Sequence, residues 1–83
     1  MTVSQGYMLK ARNVIPAVTP QNPNYRVNIG ELIYEYVEKI AGEDKAPKIT
    51  GMLIDLPIEE CKAYLMDYAK LEEKVREANQ LLV

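Results

Sequence analysis

The residues of this chain best equipped for chemistry are two pairs of adjacent carboxylates, Glu59-Glu60 and Glu72-Glu73, and one thiol, Cys61. Paired carboxylates serve general acid–base catalysis when burial or a like charge keeps one of them protonated near neutral pH. Neither pair has that setting. Each lies in a polar stretch that also carries lysine, the mark of a solvated helix face rather than a substrate cleft. Cys61 stands alone, so it forms no intrachain disulfide, and it falls on the apolar side of its segment, where a thiol is buried and inert. The chain has no histidine. One cysteine and no histidine make a poor ligand set for a transition metal. The sequence therefore predicts neither an enzyme nor a cofactor.

Charge narrows the partner class. Residues 1–28 carry Lys10, Arg12 and Arg26 and no acid, whereas residues 29–83 hold 12 acids against 7 bases, a balance of −5. An acidic body opposes a phosphate-gripping surface. That weighs against a helical nucleic-acid-binding domain, the reading that short helices and tight turns would otherwise invite. No apolar run approaches the roughly 20 residues that span a bilayer, and the N-terminus lacks the apolar core of a signal peptide. A single cysteine suits a reducing compartment. The expectation is a cytoplasmic protein without a membrane partner.

The elements that position these residues are helical. Ile29, Leu32, Ile33, Tyr36, Val37 and Ile40 recur at three- and four-residue spacing, which predicts a helix over 29–41. Asn28 is placed to cap its start and Gly42 to close it. Residues 42–47 form a polar connector, and Pro47 suits the first turn of the next helix, whose apolar set is Ile49, Met52, Leu53 and Leu56. Pro57 separates that helix from another over 58–66, with Ile58, Cys61, Tyr64 and Leu65 on one face. Asp67 is placed to cap a last helix, 68–82, built on the stripe Leu71, Val75, Ala78 and Leu82, with Glu72 and Arg76 paired at i, i+4. The stripe spans too few heptads for a dimerising coiled coil, so a monomer is expected. Residues 1–27 read differently. Pro16, Pro20 and Pro23 favour extended backbone, and a turn or two of helix over 4–12 is marginal in isolation. The predicted architecture is all-α: a small orthogonal bundle of four to five short helices over 28–83, crossing at steep angles, with a linker or extended N-terminal arm over 1–27.

The most informative run is Lys48-Ile49-Thr50-Gly51-Met52-Leu53. Gly51 thins the middle of a helix at a cost of about 1 kcal/mol relative to alanine, which lets another backbone approach closely. Met52 is a flexible, polarizable contact. The run KITGMLID resembles the signature of the MLLE domain, Lys-Ile-Thr-Gly-Met-Leu-Leu-Glu, with Ile54 and Asp55 as conservative changes. Gly30-Glu31 with Tyr34 is similar to the Gly-Glu-x-x-Phe of the family's preceding helix, and KLEEKVREANQLL to its last helix. The resemblance covers roughly residues 28–83. It implies a non-catalytic adaptor that holds the PABP-interacting motif 2 of translation and mRNA-turnover factors, as the C-terminal domain of poly(A)-binding protein does. RNA would then be reached only through other domains of the parent protein. The same domain occurs in a HECT-type ubiquitin ligase. By motif, Gly30, Glu31, Tyr34, Lys48 and Thr50 would frame a phenylalanine pocket. Met52, Leu53, Ile54, Lys74 and Ala78 would frame a leucine pocket, with Gly51 between the two. The chain departs from the family at Pro47, where a glycine is usual, and at Tyr34, where the usual residue is phenylalanine.

Overall fold

A computed structural model describes residues 2–82; Met1 and Val83 lie outside the described residues. Five α-helices follow one another without a strand among the described residues: α1 Val3–Val14, α2 Tyr25–Ala41, α3 Ala46–Ile54, α4 Ile58–Leu65 and α5 Tyr68–Leu81, with a 3-10 turn at Ile15–Ala17 after α1. The all-α bundle expected from periodicity is what forms, and the molecule measures 35 × 30 × 17 Å, close to two helices thick.

The N-terminal region differs from the expected extended arm. Residues 3–14 are helical, and Tyr7 and Ala11, one turn apart, are fully buried. A reciprocal cap starts the helix: the Thr2 hydroxyl accepts from the Gln5 amide at 3.1 Å and the Gln5 side chain accepts from the Thr2 amide at 2.9 Å. Such a helix is marginal alone, but tertiary burial supplies what local propensity lacks. The prolines belong instead to the α1–α2 connection, which is anchored by fully buried Val18 and by the Asn22 side chain donating to the Ala17 carbonyl at 2.9 Å. α2 consequently begins at Tyr25, and Asn28 is an interior residue rather than a cap. The other boundaries sit within two residues of those expected. Gly42 ends α2 at φ +94°, and the Asp67 carboxylate caps α5 by accepting from the Ala69 amide at 3.0 Å.

Without Phe or Trp, tyrosines supply the bulk. Tyr7 of α1, Tyr36 of α2 and Tyr68 of α5 form an aromatic cluster with centroids 5.0, 5.2 and 5.9 Å apart, mostly edge to face. Around it pack Ile29, Ile33 and Val37 of α2, Ile49 and Leu53 of α3, Leu65 of α4, and Leu71 and Val75 of α5, all buried.

Short helices leave a high share of their terminal carbonyls without intrahelical partners, and here distant side chains supply them. The Tyr64 hydroxyl donates to the Leu53 carbonyl at 2.9 Å in the last turn of α3. Arg26 of α2 donates to the next carbonyl, Ile54, and lies 3.9 Å from the Asp55 carboxylate. The Tyr7 hydroxyl in turn donates to the Tyr64 carbonyl in the last turn of α4 at 2.8 Å. Two phenols thus tie α1 to α4 and α4 to the end of α3.

Burial raises the proton affinity of Tyr7, Tyr64 and Cys61 above their ordinary values. The folded state therefore holds protons that the unfolded chain releases. The associated stability is complete below the unfolded values, about 8.5 for a thiol and about 10 for a phenol. It is lost as pH rises beyond them. Thermal unfolding should be flat from neutrality to mildly alkaline pH, then fall by about 1.4 kcal/mol per pH unit for each buried phenol. Tyr64→Phe should flatten that slope in melts followed by circular dichroism. An unchanged slope would show that its hydroxyl is not the titrating group.

Candidate functional site

α3 carries the signature run between α2 on one flank and α5 on the other. Ile49 and Leu53 are buried and fix its inner face, while Pro47 and Lys48 are exposed at its start. The outer face is open at Gly51, where a Cβ would meet nothing within 4 Å.

On the α5 flank, Met52, Leu53, Lys74 and Ala78 come together with Leu56, Glu77 and Leu81 around an open hollow of about 150 Å³. Lys74, Glu77, Ala78 and Leu81 recur at three- and four-residue spacing, so they form one stripe along α5. The floor is aliphatic. The polar groups are at the rim, where the Lys74 ammonium lies 3.3 Å from the Glu60 carboxylate of α4. Leu56, Glu77 and Leu81 were not among the residues named from the motif. Leu56, which periodicity does place in the apolar set of this helix, lies beyond the end of α3 in the turn before Pro57; Leu81 is 77% exposed and belongs to no buried stripe that periodicity could single out.

Ile54 is placed otherwise than the motif implied. Its methyl, with that of Thr50, faces Gly30 of α2: a Cβ at Gly30 would lie 3.8 Å from each. Ile54 therefore belongs to the α2 flank and not to the α5 hollow. At 100° per residue it is turned roughly 160° from Met52 when two positions are counted round the helix, which leaves only one of the two facing α5. On that α2 flank the crease holds Gly30, half-buried, and Thr50, buried, whose hydroxyl oxygen finds no partner among the described residues. Tyr34 stands beside it, 38% exposed. Glu31 is also displaced from the expected grouping. It lines a separate hollow between α1 and α2 with Lys10, Asn13 and Asn28.

Neither Gly30 nor Gly51 is demanded by the fold. Both have ordinary helical backbone rather than positive φ, and a methyl at either would meet no contact closer than 3.8 Å. Each nevertheless costs about 1 kcal/mol of helix stability relative to alanine. The missing side chain at Gly51 leaves room on the outer face of α3, where an extended peptide backbone can lie close, whereas at Gly30 a single methyl would already touch Ile54 and Thr50.

The candidate residues for covalent and acid–base chemistry lie apart from this surface or in ion pairs. Cys61 is buried, with its sulfur 3.5 Å from the Leu56 carbonyl and its thiol made less acidic by burial. Glu72 pairs with Arg76 at 3.5 Å on the outer face of α5, as expected.

Residues 17–82 match the family model of the MLLE domain. Comparisons with curated proteins and with solved structures gave no significant match. The matched segment runs from the end of the 3-10 turn through α5 and so contains the open face of Gly51 and both of its flanks; α1 precedes it. Domains of this family are protein-interaction modules that bind short linear peptides. Since the match takes in four of the five helices and the whole of the surface around α3, the chain belongs to the MLLE domain family.

Proposed function

We propose that this domain recruits proteins carrying the PABP-interacting motif 2, laying the peptide across α3 in the manner of the C-terminal domain of poly(A)-binding protein. The peptide backbone crosses Gly51, its leucine enters the hollow between α3 and α5, and its aromatic residue lies over the Gly30–Thr50 crease beside Tyr34. Partners of this kind are translation and mRNA-turnover factors, met in the cytoplasm by a monomeric domain whose parent protein handles RNA elsewhere. The observation that carries the reading is the open face of Gly51 next to an apolar hollow.

Energetics favour a reversible adaptor. Two buried apolar anchors contribute about 1.5–3 kcal/mol each. Backbone hydrogen bonds add to this, and ordering a flexible peptide removes several kcal/mol. The net is on the order of −8 kcal/mol, a roughly micromolar dissociation constant.

Titrating a synthetic peptide of the motif into isotopically labelled protein tests the assignment. Amide shifts should concentrate at Gly51, Met52 and Ala78. Shifts confined to other surfaces, or none at millimolar peptide, would overturn it.

A further inference from the structure

We infer that the α3–α5 hollow prefers peptides with a cationic residue next to the leucine anchor, and that Glu77 makes the selection. The inference rests on the peptide-binding reading above and concerns what that reading leaves open, the charge of the flanking residue.

Two charged side chains line the hollow, and their states differ. Lys74 is already paired, with its ammonium 3.3 Å from the Glu60 carboxylate on α4 and its side chain 30% exposed. An acidic flanking residue would have to share that ammonium with Glu60, which lessens its gain there. Glu77 has no ion-pair partner among the described residues. Of the two cations near it in sequence, Lys74 is held by Glu60 and Arg76 points its guanidinium to Glu72 at 3.5 Å. Lys70 lines the neighbouring α4–α5 hollow with Glu59 and Glu60, one turn further from Glu77 than Lys74 and away from Met52. Glu73, exposed one turn before Glu77, adds a second negative charge to that side of α5.

The rim of the leucine hollow thus presents one paired cation and one unpaired anion, on a chain whose net charge is −2. A lysine or arginine beside the leucine meets Glu77 without breaking any existing pair. A glutamate in the same place meets Glu77 as a like charge. The partner class that fits is a linear segment with an aliphatic anchor flanked by a basic residue. The long stem of the basic residue can also lie along Leu81, which is 77% exposed beside the hollow.

The test compares motif peptides in which the position before or after the leucine is alanine, arginine or glutamate, measured by fluorescence anisotropy. On at least one side, arginine should bind about threefold to fivefold tighter than alanine and glutamate about as much weaker, the size expected for an exposed charge pair. The spread should shrink at roughly 0.5 M salt. Glu77→Gln should remove the discrimination among the three peptides, and Glu77→Lys should reverse it. Equal affinities for all three peptides on both sides, or discrimination that survives Glu77→Gln, would overturn the inference and leave the adaptor reading intact. Failure of the alanine peptide to bind at all would overturn both.

Discussion

Gly51→Leu should make the domain more stable and a poorer binder at the same time. Leucine is about 0.8–1 kcal/mol better than glycine in a helix interior, and the space around the Gly51 Cβ position is empty within 4 Å. For a domain of this size such a gain raises the midpoint of thermal unfolding by about 4–8 °C. The same side chain occupies the volume through which a peptide backbone must pass. Affinity for a motif peptide should therefore fall by more than about tenfold, equivalent to roughly 1.4 kcal/mol. Thermal melts and a binding titration on the same preparation check both signs. A variant that binds like the parent would show that the peptide does not cross Gly51. A variant that melts lower would show a contact at this position that the open face does not reveal. Met52→Ala is the companion substitution. It removes a wall of the hollow and should weaken binding while circular dichroism stays helical.

Tyr7→Ala should have the largest effect on stability. Tyr7 is fully buried, packs edge-on against Tyr36 at 5.0 Å, and donates to the Tyr64 carbonyl. Truncating a buried aromatic of this kind costs about 3–5 kcal/mol. The whole domain is expected to have only about 5–10 kcal/mol to lose. Tyr7→Phe keeps the ring and removes only the donor, so it should cost about 1–2 kcal/mol, including the now unpaired carbonyl at the end of α4. Urea denaturation ranks the three proteins, and amide exchange in α1 reports whether that helix has detached. If Tyr7→Ala unfolds with the parent's midpoint, α1 is an appendage to the domain and not part of its core. The same contact bears on the peptide surface. Tyr7 holds the end of α4, and Tyr64 on α4 holds the Leu53 carbonyl, so loosening α1 should raise exchange at the last turn of α3 as well.

α2 to α5 were legible because each carries a dense apolar set at helical spacing. Ile29, Leu32, Ile33, Tyr36 and Val37 are all buried as their spacing implies, and so are Leu71, Val75 and Ala78. Asp67 and Pro47 mark helix starts through chemistry that is local to the chain. α1 carries a weaker signal, since only Tyr7 and Ala11 are buried in 12 residues and no acid lies in its first turn. Its formation depends on partners in α2, α4 and α5, which no window of sequence around residue 7 contains.

What the sequence alone determined, then, was the presence of the helices of the matched region, the inert burial of Cys61 and the signature run with its glycine. All of these follow from side-chain type and from spacing along one helix. Only the tertiary structure decided that Ile54 turns to Gly30 while Met52 turns to α5, and that Glu31 faces α1. It also brought Leu56, Glu77 and Leu81 to the hollow and docked residues 3–14. The physical reason is that periodicity specifies which residues share a face of a helix. Which neighbour that face meets is set by crossing geometry and by connectors, and these depend on packing between segments far apart in the chain.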